Sequence, residues 1–117
     1  MNEIKAASNA TAELETWQPE GVTIHEGDPA GRGFTLHEDY TNGARATGLF
    51  ECDGPSRTTY PLDFNEIIYV LEGSVTIELD NGSRMDLKAG DFAFLPAGHL
   101  ATWTFHEKFR EFWVLAD

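Results

Sequence analysis

The chain has 117 residues, the length of one ordinary domain, and its 41% apolar content is enough to bury a core without covalent staples. Twenty acidic residues against eight basic ones leave a formal charge of −12, which repels phosphate backbones and anionic lipid, so nucleic acid and membrane are excluded as partners. Cys52 is the single cysteine, so neither an internal disulfide nor a thiolate metal cluster can form.

Residues 1–16 are polar and Ala-rich and read as a flexible or short helical N-terminal segment. No cationic start leads into an apolar stretch, and no run reaches membrane-spanning length, so a cytoplasmic location is expected. Asn9, Ala10 and Thr11 match a glycosylation acceptor, but without a secretory signal the match carries no weight. Trp17 opens the main domain, 17–117. Turn-rich stretches around Pro19 and Pro29 follow, then a short strand from Phe34 to Tyr40 and a turn over Thr41 to Gly43.

From Ala44 onward the pattern is strand, turn, strand. Val75, Ile77 and Leu79 alternate with Thr76 and Glu78, the period of a half-buried strand. Asn81-Gly82 supplies the chain's clearest hairpin signal, since both residues accept the positive φ of a type I′ turn. Met85 and Leu87 return on one face, and further short strands cover Phe92–Pro96, Ala101–Phe105 and Phe109–Ala116. No helix is expected after residue 16. Many short strands at close spacing predict an all-β barrel or sandwich. Phe50, Phe92, Phe94, Phe105, Phe112 and Trp113 are expected in its core. From Ile67 to Leu71 both parities are apolar, so both faces of that strand need cover, and a homodimer is the expected source of the second.

The site candidates come from spacing. Gly54, Tyr60, Leu62, Glu66 and Gly73 form one frame, and Gly90, Pro96, Gly98 and Ala101 a second. In both frames the spacing resembles the two motifs of a cupin, which implies a cupin-type jelly-roll β-barrel (RmlC-like) with a short N-terminal extension. The wider pattern, from Trp17 to the C-terminus, is similar to the single-domain cupins that resemble ureidoglycine aminohydrolase. A typical cupin holds a divalent ion with three imidazoles and one carboxylate. Here the three imidazole positions are Tyr60, Leu62 and Ala101. Leucine and alanine have no donor atoms, and Glu66 alone does not hold a divalent ion against water. No metal or other cofactor is therefore expected; a divalent ion held by His99, Glu66 and an N-terminal histidine is the disfavoured alternative.

Without a metal, Glu66 and Tyr60 are the candidate catalytic or binding pair, a phenol donating to a carboxylate in a partly dry pocket. The expected pocket comprises Tyr60, Leu62, Glu66, His99, Ala101 and Trp103, with His99 at the mouth and Trp103 as a flat wall. His25, His37 and His106 read as surface residues. Three functions stay open. One is a small cupin that binds a small-molecule ligand in a metal-poor pocket. Another is an enzyme of the same fold, either a metal-assisted aminohydrolase, as the resemblance implies, or an acid–base isomerase or lyase. The third is a non-catalytic dimeric structural or regulatory protein with a packed lumen.

Overall fold

The computed structural model describes residues 3–117; Met1 and Asn2, the start of the N-terminal segment 1–16, lie outside the described residues. The rest of that segment holds a turn, in which the Ala12 amide donates to the Ser8 carbonyl at 2.8 Å, and then β1 (Glu15–Thr16). Ten more strands follow: β2 (Thr23–Glu26), β3 (Arg32–Asp39), β4 (Arg45–Cys52), β5 (Ser56–Pro61), β6 (Asn65–Glu72), β7 (Ser74–Leu79), β8 (Arg84–Lys88), β9 (Phe92–Leu95), β10 (Leu100–Phe105) and β11 (Phe109–Ala116). Among the described residues, no helix is long and apolar enough to cross a membrane.

The strands form two antiparallel sheets, in the orders β1-β3-β4-β11-β6-β9 and β2-β5-β10-β7-β8. Alternation places one face of each sheet inward. Ile68 and Val70 of β6 meet Val75, Ile77 and Leu79 of β7 and Trp103 and Phe105 of β10 in one buried cluster. Cys52 is fully buried at the end of β4, and burial pushes its thiol well above the ordinary range, so it packs as a small apolar residue. The architecture is the cupin jelly roll.

The aromatic core expectation needs correction. Phe50 and Phe105 are buried, but Phe92 is 76% exposed and Phe94 60%, and Phe112 also stands outward. The ladder explains it. Phe94 pairs with Ile67 and Phe92 with Tyr69, so all four share the outer face of the six-stranded sheet, while Leu95 and Ile68 take the inner one. Register decides which face an aromatic takes, and hydrophobicity alone does not fix register when both parities are apolar.

Candidate functional site

Between the sheets lies a cavity of about 360 Å³. Its walls come from β3, β4, β5, β6, β10 and β11, and its mouth from the segment around Trp17 to Glu20. Trp17 is fixed there by its amide, which donates to the Gly31 carbonyl at 2.9 Å, and by an edge-on contact with Phe50.

Tyr60 and Glu66 meet inside the cavity. The phenol donates to Glu66 Oε1 at 3.0 Å. The ladder explains the pairing of the tyrosine with its neighbours: Tyr60 lies opposite Ala101 and one inward position from Thr58, which faces Trp103. Its ring stacks on the Trp103 indole, with centroids 5.9 Å apart. Leu62 and Ala101 are buried in the core cluster beside them. The structure thus brings Tyr60, Leu62, Glu66 and Trp103 to the cavity wall, while Ala101 is buried in the core and does not reach the lining.

His99 turns elsewhere. Its Nδ1 lies 2.8 Å from Asp80 Oδ1, and its carbonyl accepts from the Leu62 amide at 2.8 Å. Asp80 also takes the Leu100 amide, and the bond to His99 is the main cause that holds its carboxyl below the usual range. The extended parity that would align His99 with Ala101 is absent because β10 begins only at Leu100. His25, His37 and His106 are exposed and bond to Thr59, Lys5 and Thr76.

One central residue escaped the sequence reading. Glu111 of β11 is 3% exposed and lines the same cavity as Glu66. Among the described residues its Oε1 has no hydrogen-bond partner, and neither does the Trp103 Nε1–H. A signal existed: Phe109, Glu111, Trp113 and Leu115 share one parity of β11. It was ambiguous because Phe112 and Val114 make the other parity apolar as well, and because a bulge at Arg110/Glu111 shifts the register against β6.

Burial dominates the electrostatics. It raises the Glu66 carboxyl to about 7, against a smaller opposing effect of the Tyr60 hydrogen bond. Glu111 is pushed well above the carboxylate range by burial and then by the charge of Glu66. The same burial, with both carboxylates nearby, drives the Tyr60 phenol up, so it stays a donor. A carboxyl near 7 can take or give a proton at neutral pH, or ionise when a cation arrives.

The donor set does not fit the ion of a typical cupin. Leu62 and Ala101 offer no ligand atom, and among the described residues no group of three His, Cys, Asp or Glu gathers in ligating range.

Comparison with known proteins follows the fold. No protein of curated function matches the chain. Among solved structures, a putative ethanolamine utilization protein Q from Salmonella typhimurium is 26% identical with a TM-score of 0.63, over 73% of this chain and 68% of that one. A protein of unknown function from Pseudomonas syringae is 25% identical with a TM-score of 0.73, over 92% of this chain and 46% of that one. The polyketide cyclase RemF from Streptomyces resistomycificus is similar in fold alone, at 23% identity and a TM-score of 0.70, over 97% and 79% of the two chains. The model of the EutQ-like cupin domain matches residues 41–112, more than half of the sequence, and the chain belongs to that family.

Proposed function

We propose that this protein is a small cytoplasmic cupin that binds a small molecule in its metal-poor barrel pocket, with Glu66 and Tyr60 as the polar centre. The observation that supports this reading is a hydrogen-bonded acid–phenol pair buried in an open cavity of about 360 Å³, a size suited to a small ligand. A lumen closed by packing would favour a purely structural role. Aromatic walls and a small volume suit a compact molecule better than a polymer. The test is a thermal-shift screen of small polar metabolites against wild type and Glu66→Gln. A compound at about a hundred times its Kd should stabilise wild type by roughly 2.7 kcal/mol and the variant much less. Equal stabilisation of both proteins would remove the acid from the centre of the site.

A second reading is favoured by the Glu66 carboxyl near 7: an acid–base isomerase or lyase in which Glu66 moves a proton and Tyr60 orients it. The similarity to ureidoglycine aminohydrolase-like cupins supports a nitrogen-rich substrate for such an enzyme, whereas the missing imidazoles weigh against metal-assisted hydrolysis. Turnover of a bound compound, lost in Glu66→Gln, separates this reading from simple binding.

A further inference from the structure

The lining of the cavity is chemically one-sided. Of its 21 residues, eight are aromatic, five are acidic and none is Lys, Arg or His. The acids stand at two depths: Glu20, Glu38 and Asp63 border the mouth, and Glu66 and Glu111 are buried inside. Elsewhere in the molecule a buried carboxylate has its own cations. Glu51 receives Arg32 at 2.7 Å and Arg110 at 3.0 Å. Glu66 and Glu111 have none within salt-bridge distance among the described residues.

Acidity alone would not identify a ligand. The independent observation is that two polar atoms of residues lining the cavity, both closed off from solvent, are left without partners among the described residues. Glu111 Oε1 lacks a donor, and the Trp103 Nε1–H lacks an acceptor. Both residues are at most 3% exposed, and both line the cavity. An unpartnered buried polar group is costly, and a ligand that supplies the partner recovers that cost. Aromatic faces beside carboxylates, with no competing basic side chain, form the usual surroundings of a bound organic cation.

We propose that the cavity takes a small protonated amine, whose N–H groups donate to Glu111 and Glu66, whose carbon body lies along the Tyr60–Trp103 wall, and whose acceptor atom meets the Trp103 indole N–H. The inference rests on the reading of the cavity as a small-molecule site, and it adds the sign of the ligand's charge. Anions are rejected by the acidic mouth and find no cationic side chain inside. Neutral analogues lack the charge that makes ionisation of two neighbouring acids favourable.

Matched probes test it on the whole protein. 2-Methoxyethylamine, 2-methoxyethanol and methoxyacetate share a body with an ether acceptor and differ in charge, as do 4-methoxybenzylamine, 4-methoxybenzyl alcohol and 4-methoxybenzoate. Each is titrated while the Trp103 indole N–H resonance is followed by NMR, with Trp103→Phe assigning the signal. At least one amine should shift that resonance saturably, with an apparent Kd about tenfold or more below that of its alcohol. The preference should persist in about 0.5 M salt, where attraction to the general surface charge is screened. Glu111→Gln, which keeps the side-chain shape, should remove it. An alcohol or a carboxylate that binds as tightly as its amine overturns the cationic ligand while leaving a small-molecule cavity in place. Calcium or magnesium that binds more tightly than every amine also overturns it, as does a preference that vanishes in salt. If no probe of either series moves the Trp103 signal, the small-molecule reading itself falls with it.

Discussion

Three carboxylates of this protein are buried, and their surroundings give them opposite behaviour. Burial pushes the Glu51 carboxyl up, but the hydrogen bond from Arg32 and the charges of Arg32, Lys108 and Arg110 outweigh it, and the group titrates below its ordinary value. Its contribution to stability is present at neutral pH and lost as the pH falls. Glu66 has the reverse sign. Its carboxyl rises from 4.5 to about 7, so between those values the folded chain holds a proton that the unfolded chain has released. Stability from this group is complete below about 4.5 and is lost as the pH climbs through 7. The full difference is on the order of 3 kcal/mol. Glu66→Gln keeps an acceptor for the Tyr60 hydroxyl and does not titrate. The variant should match wild type near pH 4 and exceed it near pH 8 by up to about 3 kcal/mol in urea unfolding. A gap between the two proteins that stays constant across this range would mean that Glu66 is ionised throughout. Measuring the difference between variants, rather than the wild-type curve, cancels the pH-dependent repulsion among the many surface acids.

At the scale of the elements, the cavity depends on a place where a strand has no side chain. Gly48 of β4 lies opposite Trp113 of β11 on one side and Thr35 of β3 on the other. A Cβ there would collide with the Phe34 carbonyl and lie 2.9 Å from Trp113 Cζ2, and the carbonyl belongs to a paired backbone that cannot move aside. The indole occupies the space above the glycine and forms part of the cavity wall. Gly48→Ala should destabilise by about 1–3 kcal/mol and shift the Trp113 fluorescence, because overpacking displaces both strands. Gly82, in the β7–β8 turn with φ +89° and open space around it, should lose only about 1 kcal/mol on the same change. Equal losses at the two positions would show that crowding at Gly48 is relieved without cost. The β6–β11 strands were legible as sequence because turn residues separate them and β7 alternates cleanly. The strand β5 was not, since Ser56 to Tyr60 carries few apolar residues and follows directly on a turn. The short strands β1 and β2 are almost wholly exposed and form only by pairing with β3 and β5, a tertiary effect that local pattern does not encode. The site divided in the same way. Glu66 and Tyr60 were legible from the spacing of glycines around them, whereas Glu111 reaches the cavity only because β11 pairs with β6 across a bulge.

At the scale of the whole molecule, the outer face of the six-stranded sheet has the opposite character to the cavity. One ladder row runs Phe34, Leu49, Phe112, Tyr69 and Phe92 across β3, β4, β11, β6 and β9, and Ile67 and Phe94 lie in the next row. The N-terminal residues Ala7 to Asn9 approach the Phe34 and Leu49 end of this row, and together with Phe112 they line a shallow second cavity. The β6–β9 end is bare, with Ile67 and Tyr69 nearly half exposed beside Phe92 and Phe94. None of these four residues is charged, on a chain whose net charge is −12. Two copies that met through most other surfaces would bring carboxylates together; here they would bury aromatic rings instead. We therefore propose a second copy of this chain, related by a two-fold axis, as the cover of this face. Such a contact leaves the ligand cavity free, because the cavity lies on the inner side of the same sheet. Light scattering on the eluting protein should give twice the 13.0 kDa of one chain. Phe94→Glu, which adds no steric conflict at an outward position, should return the mass to a single chain and leave the far-ultraviolet spectrum and amine binding unchanged. A wild-type monomer at micromolar concentration would sink the dimer. A Phe94→Glu dimer would move the contact to another face. Loss of amine binding together with dissociation would mean instead that the second copy closes the cavity, tying the outer aromatic row to the inner acidic one.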